Sequence, residues 1–220
     1  RTSMAGPVYR YNGKGALKLP DEFQGKLIHW DWSRSIMWAT PVKADGSLDT
    51  TFNTPCFAYS NKAIVIQPDG KILLGTSCAP GSSSGVSRLN TNGTNDATFD
   101  AGTGANGSAV TSLARQPDGK VLIGGKFGTF NGVSRRGIVR VSANGSLDNT
   151  FVPASNYNTN AIALRSDGKV LIARDFGFQG AVAMNRLNSD GTNDGSFIAT
   201  ETQVNDINSI AIGADDTVYE

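Results

Sequence analysis

The chain repeats one motif four times at an almost constant spacing. The motif consists of an apolar run, an Asp-Gly turn and a second apolar run, and near copies occupy residues 64–75, 113–124 and 162–173. A degraded copy occupies residues 210–219. The turn aspartates are spaced by 49, 49 and 48 residues, at Asp69, Asp118, Asp167 and Asp215. Such a period predicts a tandem-repeat fold in which each unit packs against its neighbours.

A second motif runs in phase with the first and reads [DN]-G-[ST]-x-D-x-[ST]-F. A residue present in every unit serves what every unit needs, so we predict structural roles for its Asp and Phe. The Asp is expected to accept hydrogen bonds from turn amides, and the Phe to fill the gap between neighbouring sheets. These residues are Asp49, Asp96, Asp148 and Asp194, with Phe52, Phe99, Phe151 and Phe197. Equivalent arginines are expected to hold a carboxylate or a carbonyl between strands, at Arg88, Arg140 and Arg186.

The turns divide each unit into four short strands. In the third unit these strands are predicted at residues 109–115, 120–127, 138–142 and 147–152. Pro presets φ and Gly accepts positive φ in the turns, while Val, Ile and Leu fill the strands. The predicted fold class is all-β: a β-propeller, or a propeller segment, of four-stranded antiparallel blades with about 48 residues per repeat. A β-solenoid is the competing fold, but its rungs are generally shorter.

We predict a single repeat domain over residues 1–220 that is a segment of a longer chain. Its blades are expected at about 5–53, 62–100, 109–152 and 160–198, with a partial blade at 207–220. Propellers typically close at about 4 to 8 blades. Either this chain closes with few blades, or the rest of the parent chain or a second subunit completes the propeller.

Both motifs resemble the delta-60 repeats of bacterial propeller-like domains, over residues 44–219. That resemblance implies a large, often secreted or surface-attached bacterial protein. The first 43 or so residues, with Tyr9-Arg-Tyr11 and the run 19–34, resemble one blade of glucose/sorbosone dehydrogenase-like propellers. Some members of that family use pyrroloquinoline quinone, but none of the family's quinone-binding or catalytic residues has a counterpart here.

Charge and composition exclude several classes of function. The chain carries 20 basic and 19 acidic residues, a formal net charge of +1, and nucleic-acid binding is not expected at this balance. No apolar run reaches the 18 residues of a membrane span. Loops dominated by Asn, Ser, Thr and Gly favour an extracellular, cell-surface or periplasmic location in bacteria.

No catalytic, metal-binding or cofactor-binding residue is assigned from the sequence. His29 is the only histidine, so neither a Ser-His-Asp triad nor a two-histidine metal site can be nominated, and a packed strand residue is expected. The Asn- and Asp-rich turns lack the terminal Glu of an EF-hand loop. Cys56 and Cys78 flank one hairpin and could form a disulfide or remain independent thiols.

Connections that differ between blades are predicted to lie on one face, at residues 77–84, 102–108, 127–136, 155–160 and 175–180. Variable loops on a rigid scaffold commonly bind ligands. The candidate binding residues there are Arg135, Arg136, Tyr157, Arg174 and Asp175. The main hypothesis is a noncatalytic module of a secreted or surface bacterial protein that binds a protein or glycan through this face. The alternatives are a fragment of a quinone-dependent sugar dehydrogenase-like enzyme and a purely architectural spacer.

Overall fold

The computed structural model describes residues 26–31, 36–41, 63–75, 85–106, 110–153, 157–174, 184–198 and 207–219. Throughout these ranges the regular structure is antiparallel β-sheet, without a helix, which confirms the all-β prediction. None of the described segments is a helix able to cross a bilayer. The predicted disulfide partners Cys56 and Cys78 lie outside the described residues, as do Asp49, Phe52 and Asp175.

Three consecutive repeats each contain a three-stranded sheet whose strands follow chain order. A two-stranded sheet precedes them, formed by β1 (Lys26–Asp31) and β2 (Ile36–Pro41). The second repeat contains β3 (Ile64–Ile66), β4 (Ile72–Leu74) and β5 (Ser87–Leu89). The third contains β6 (Val110–Arg115), β7 (Val121–Gly125) and β10 (Ile138–Val141), with an inserted hairpin of β8 (Thr129–Phe130) and β9 (Val133–Ser134). The fourth contains β11 (Thr159–Leu164), β12 (Val170–Arg174) and β13 (Met184–Leu187), and the fifth contains β14 (Ala211–Ile212) and β15 (Val218–Tyr219).

The Asp-Gly turns form where the sequence predicts them. In the third repeat, the Gly119 N–H donates to the Gln116 carbonyl at 3.0 Å, and the Asp118 carboxylate accepts from the Lys120 N–H at 3.0 Å. Gly119 has φ +88°, a conformation that a residue with a Cβ adopts only with strain. The turn aligns β6 with β7 so that Arg115 faces Val121.

The predicted fourth strand is reduced to a single bridge in each of the second, third and fourth repeats. The strand expected at 147–152 consists only of Leu147 bridging to Val141. Directly afterwards, the Asp148 carboxylate accepts the Thr150 N–H at 2.9 Å, and the Phe151 N–H donates to the Asp148 carbonyl. This turn redirects the chain before a second ladder pair can form. The equivalent bridges are Leu89 with Asn95 and Leu187 with Asn193.

The core lies between the sheets, and each central strand packs on both sides. Val121 and Ile123 of β7 join a cluster with Leu73 of the second repeat. Leu122, between them, joins a cluster with Ile172 of the fourth repeat. Because successive strand residues point to opposite faces, a strand that is apolar throughout must be covered on both. Successive repeats therefore stack face to face.

The two ends of each sheet carry different connections. In the third repeat, residues 116–120 and 142–146 turn at the end where Val121 pairs with Val141, and we call this the turn end. Residues 126–137 connect β7 to β10 at the opposite end, which we call the loop end. Residues 157–158 lead into β11 at the loop end of the fourth repeat, where Thr159 pairs with Arg174.

A carboxylate at the turn end joins the fourth and fifth repeats. Asp216 replaces the turn glycine of the motif and has φ 63°. Its side chain accepts from the Ser166 hydroxyl at 2.7 Å and from the Arg165 Nη2 at 3.3 Å. Arg165 and Ser166 themselves replace the Gln-Pro pair of the two preceding repeats. The two residues that depart from the motif in the fourth repeat thus bind the residue that departs from it in the fifth. This contact is specific to these two repeats.

Replacing Asp216 by Asn is expected to loosen the fifth repeat, because the charge that attracts Arg165 is lost. We predict that thermolysin cleaves D216N several-fold faster than the wild type, before Ile210 or Ile212. This is the rate change expected when the free energy of opening the repeat falls by about 1 kcal/mol. The adjacent D215N variant is the control, since an Asn oxygen can still accept the Thr217 N–H that Asp215 receives. Equal cleavage rates in D216N and D215N would show that this contact does not hold the repeat.

The two neighbouring residues Phe151 and Val152 provide a direct test of the core. Phe151 is 1% exposed and packs with Leu122 and Ile162, whereas Val152 is 54% exposed. We expect F151A to lower the free energy of unfolding by about 3–5 kcal/mol through lost burial and cavity formation. V152A should change it by less than about 0.5 kcal/mol. Urea denaturation followed by tryptophan fluorescence and circular dichroism measures both, and similar losses would contradict the assignment of the core.

Candidate functional site

At the turn end, the motif aspartate of the third repeat accepts four hydrogen bonds. One Asp148 oxygen accepts from the Thr150 N–H at 2.9 Å and from the Thr150 hydroxyl at 2.6 Å. The other lies 2.8 Å from the Arg140 Nε and 3.0 Å from the Lys120 Nζ. The carboxylate therefore joins its own turn to strand β10 and to the residue that precedes β7.

The same arrangement recurs in the repeats on either side. Asp96 lies 2.7 Å from the Arg88 Nε and 2.9 Å from the Lys71 Nζ. Asp194 lies 2.6 Å from the Arg186 Nε and 2.7 Å from the Lys169 Nζ. The guanidinium groups also lie about 5 Å from the rings of the motif phenylalanines, as cation–π contacts favour; the distances are 5.0 Å for Phe99, 4.9 Å for Phe151 and 4.9 Å for Phe197.

Two of these arginines also cross to the next repeat. The Arg88 Nη1 donates to the Ala143 carbonyl at 2.7 Å, and the Arg140 Nη1 donates to the Ser189 carbonyl at 2.6 Å. Both acceptors lie in the turn between the third strand and the bridge of the following repeat. Each of these guanidinium groups thus contacts a carboxylate and a carbonyl, the two kinds of acceptor that the sequence suggests. The charged side chains of the motif at the turn end therefore pair with groups of the protein itself.

The hydrogen bonds set the pKa of the motif carboxylates. Burial by itself raises the pKa of Asp148, but the bonds from Thr150, Lys120 and Arg140 outweigh it and hold that pKa well below the ordinary value of 3.8. Asp96 has the same balance, with Thr98, Lys71 and Arg88 as donors. Bonds from Lys169 and then Ser196 lower the pKa of Asp194. All three carboxylates are ionised at neutral pH.

A lowered folded-state pKa makes stability depend on pH. The stabilisation by Asp148 is fully present above the unfolded pKa of about 3.9 and is lost as the pH falls below that value towards the folded pKa. We expect D148N to lower the free energy of unfolding at pH 7 by about 1–3 kcal/mol, because two cations lose their acceptor charge. Below pH about 4, the stability of the variant should fall less steeply than that of the wild type.

Urea midpoints between pH 3 and pH 7 measure this difference. The control is D118N in the same repeat, where an exposed side chain keeps its bond from the Lys120 N–H through the Asn oxygen. Parallel acid profiles of D148N and the wild type would contradict the role given to this carboxylate.

The loop end has a different chemistry, centred on Tyr157 and Arg174. The Arg174 guanidinium lies 4.6 Å from the centre of the Tyr157 ring, and the ring remains 44% exposed. The contact follows from the register of β11 with β12, which pairs Thr159 with Arg174 and leaves Tyr157 just ahead of that pair. Burial lowers the pKa of Arg174, yet an arginine stays charged at neutral pH.

The loop end of the third repeat meets this pair. Gly137 has φ +74°, and a Cβ built on it would lie 1.8 Å from the Tyr157 carbonyl oxygen, so only glycine allows this approach. Arg135 and Arg136 directly precede Gly137, and Arg136 is exposed. The structure therefore brings together four of the five candidate binding residues, from two repeats. Asp175, the fifth, lies outside the described residues.

Lys126 belongs to the same region and was missed by sequence reasoning. It is exposed and directly follows Gly125, whose N–H donates to the Gly137 carbonyl at 2.9 Å. The sequence pattern placed Lys126 inside the second strand, whereas β7 ends one residue earlier. A cation directly after a run of buried apolar residues is the sequence signal that could have revealed it.

The hairpin β8–β9 is held in place by two asparagines. The Asn106 carbonyl oxygen of the side chain accepts from the Gly128 and Thr129 N–H groups at 3.2 and 2.9 Å. The corresponding oxygen of Asn131 accepts the Gly104 N–H at 2.6 Å. Phe130 is fully buried and bridges to Ala105. The connection that carries Arg135 and Arg136 is therefore ordered by contacts with the chain about 25 residues before it.

Among the described residues, carboxylates are confined to the turn end, whereas cations occur at both ends. Every carboxylate whose side chain the structure describes lies in or beside the turns of the turn end, including Asp100, whose N–H donates to the Asn144 carbonyl. The cations described at the loop end are Lys126, Arg135, Arg136 and Arg174. Among the described residues, no group of three His, Cys, Asp or Glu side chains could hold a metal ion. The side chain of His29 lies outside this description.

Three segments match a protein family described as "Domain of unknown function (DUF5122) beta-propeller". The matches cover residues 67–99, 116–151 and 165–197, and each ends at the motif phenylalanine. Together with the antiparallel sheets, they confirm the β-propeller fold class. The finer resemblances, to delta-60 repeats and to glucose/sorbosone dehydrogenase-like propellers, stay predictions.

Solved structures support the fold alone. The extracellular domain of a one component system from B. thetaiotaomicron has a TM-score of 0.55 and 16% identity over 89% of this chain and 24% of its own. Kuenenia stuttgartiensis hydrazine synthase has a TM-score of 0.54 and 10% identity over 77% of this chain and 44% of its own. The chain thus spans less than half of either protein. No curated protein matches it significantly.

Proposed function

We propose that this chain is a noncatalytic propeller module of a secreted or cell-surface bacterial protein, and that it binds a protein or glycan through its loop end. The loop end is the face where the connections from β7 to β10 and into β11 meet. The location outside the cytoplasm rests on the loop composition, which is dominated by Asn, Ser, Thr and Gly. Completion of the propeller by the rest of the parent chain or by a second subunit belongs to the same proposal.

The observation that carries the proposal is the contrast between the two ends. At the turn end, three repeats have the same Asp, Arg and Lys contacts, and these residues bind one another. At the loop end, the connections differ in sequence and length between repeats. There the side chains of Arg136 and Tyr157 face solvent. Differing side chains on a common frame are typical of binding loops.

The loop end is also ordered before any ligand arrives. Asn106 and Asn131 hold the β8–β9 hairpin, and the close approach of Gly137 to Tyr157 fixes the third repeat against the fourth. A pre-ordered site loses less conformational entropy on binding than a mobile loop does. The same interactions hold Tyr157, whose ring lies against the Arg174 guanidinium, beside the segment that carries Arg135 and Arg136.

A triple variant of exposed or partly exposed loop-end residues, R135A/R136A/Y157A, tests the proposal. We expect the wild type to bind at least one member of a panel of immobilised polysaccharides and purified extracellular proteins, and the variant to lose that binding by at least about tenfold. The control variant N149A/S189A removes two exposed side chains at the turn end and should bind like the wild type. Circular dichroism and urea midpoints establish that both variants fold.

The alternatives predict other outcomes in the same experiment. A purely architectural spacer binds no member of the panel. A fragment of a quinone-dependent enzyme binds pyrroloquinoline quinone in the presence of calcium and reduces a dye with aldoses. Binding that persists unchanged in the triple variant would exclude the loop end as the site.

A further inference from the structure

The described residues that are exposed at the loop end are mostly small and polar. Around the β8–β9 hairpin the exposed residues are mostly glycine, asparagine, threonine and serine: Gly102, Thr103, Asn106, Gly128, Gly132 and Ser134. Among the described residues there, Val133 and Tyr157 are the exposed large apolar or aromatic side chains. The buried centre of a protein–protein interface is usually richer in aromatic and apolar residues. This surface is better suited to a carbohydrate, whose hydroxyl groups need many small polar partners.

Among the described side chains of this surface, the charged ones are all positive. Arg135 and Arg136 form no ion pair with any carboxylate that the structure describes, and Arg135 uses its Nη1 on the carbonyl of its neighbour Ser134 at 3.0 Å. The Nε of Arg135 is buried without a hydrogen-bond partner. Lys126 adds a further positive charge beside the same connection.

Guanidinium groups select for a particular kind of anion. Their planar arrangement of donors matches the two oxygens of a carboxylate or sulfate, which lysine does not reproduce. Tyr157 offers a flat apolar surface beside them, and Arg174 lies against its ring and limits its movement. A ring that carries both C–H groups and an acidic substituent would contact the tyrosine with one part and the arginines with another.

We propose that the loop end of the third and fourth repeats binds an acidic polysaccharide. Its carboxylate or sulfate groups pair with Arg135 and Arg136, and a sugar ring lies against Tyr157. This inference rests on the proposed function, since it names the ligand class of the same site.

Three polymers with one backbone test the proposal: neutral dextran, carboxymethyl dextran and dextran sulfate. Titrated into the whole 220-residue chain at 150 mM salt, at least one charged polymer is expected to bind and neutral dextran is not. Comparing the two charged polymers distinguishes carboxylate from sulfate recognition. Raising the salt concentration should weaken binding with a shallow slope, because few ionic contacts are involved.

Matched variants separate specific pairing from general attraction. R135A/R136A should weaken binding by at least about tenfold, and Y157A by several-fold. R135K/R136K keeps both charges but loses the planar donors, so its affinity should lie between those of the wild type and R135A/R136A. N149A/S189A at the turn end should bind like the wild type.

Each failure has a distinct meaning. Binding of polyglutamate or single-stranded DNA as tight as that of the charged dextrans, and unaffected by Y157A, would overturn the inference in favour of nonspecific polyanion attraction. If a neutral glycan or a protein binds through the loop end and the charged dextrans do not, the ligand class is wrong while the proposed function stands. If nothing binds through the loop end, both fail.

Discussion

The buried carboxylate of the second motif is the interaction on which the rest of the structure depends. In the third repeat, Asp148 closes its own turn through Thr150 and binds Arg140 and Lys120. Arg140 then extends to the Ser189 carbonyl of the following repeat. Breaking such a carboxylate contact leaves buried cations without compensation, which is costly. Asp148 therefore closes its own turn and, by holding Arg140, helps to link its sheet to the following repeat.

This arrangement separates the frame of each repeat from the loops that we propose bind a ligand. Because the frame is built at the turn end and in the apolar strands, the connections at the loop end can differ in length without breaking either. The inserted β8–β9 hairpin illustrates this freedom, since it lengthens one connection while β7 and β10 keep their pairing. The cations at the loop end are not used by the repeated frame. Arg135 and Arg136 are the charges that we propose pair with a ligand.

The strands could be predicted from sequence because their causes are local and repeated. Strands β6, β7 and β10 lie within the predicted ranges 109–115, 120–127 and 138–142, since Asp-Gly turns and apolar runs recur in step. The loss of the fourth strand was not predicted, because it depends on how the Asp148 side chain competes for the turn amides. A strand pattern does not show which acceptor an amide will choose.

The candidate site was partly predictable for a similar reason. The sequence nominates Arg135, Arg136, Tyr157 and Arg174 because they lie in differing loops. Their proximity comes from the strand register within the fourth repeat and from its contact with the third. The approach of Gly137 to Tyr157 and the register of Thr159 with Arg174 are properties of the folded array. The pairing of Arg165 and Ser166 with Asp216 has the same origin, although complementary departures from the motif in adjacent repeats were its visible signal.

Arginines held by the motif aspartates couple neighbouring repeats into one cooperative structure through the carbonyls of the following repeat. Native-state hydrogen exchange under mild denaturant tests this coupling most directly, because it reports the opening free energy of each strand. The account predicts that the amides of β7 and β12 open with the same free energy and the same denaturant dependence. Independent opening of the two strands, with β12 exchanging while β7 stays protected, would contradict the account.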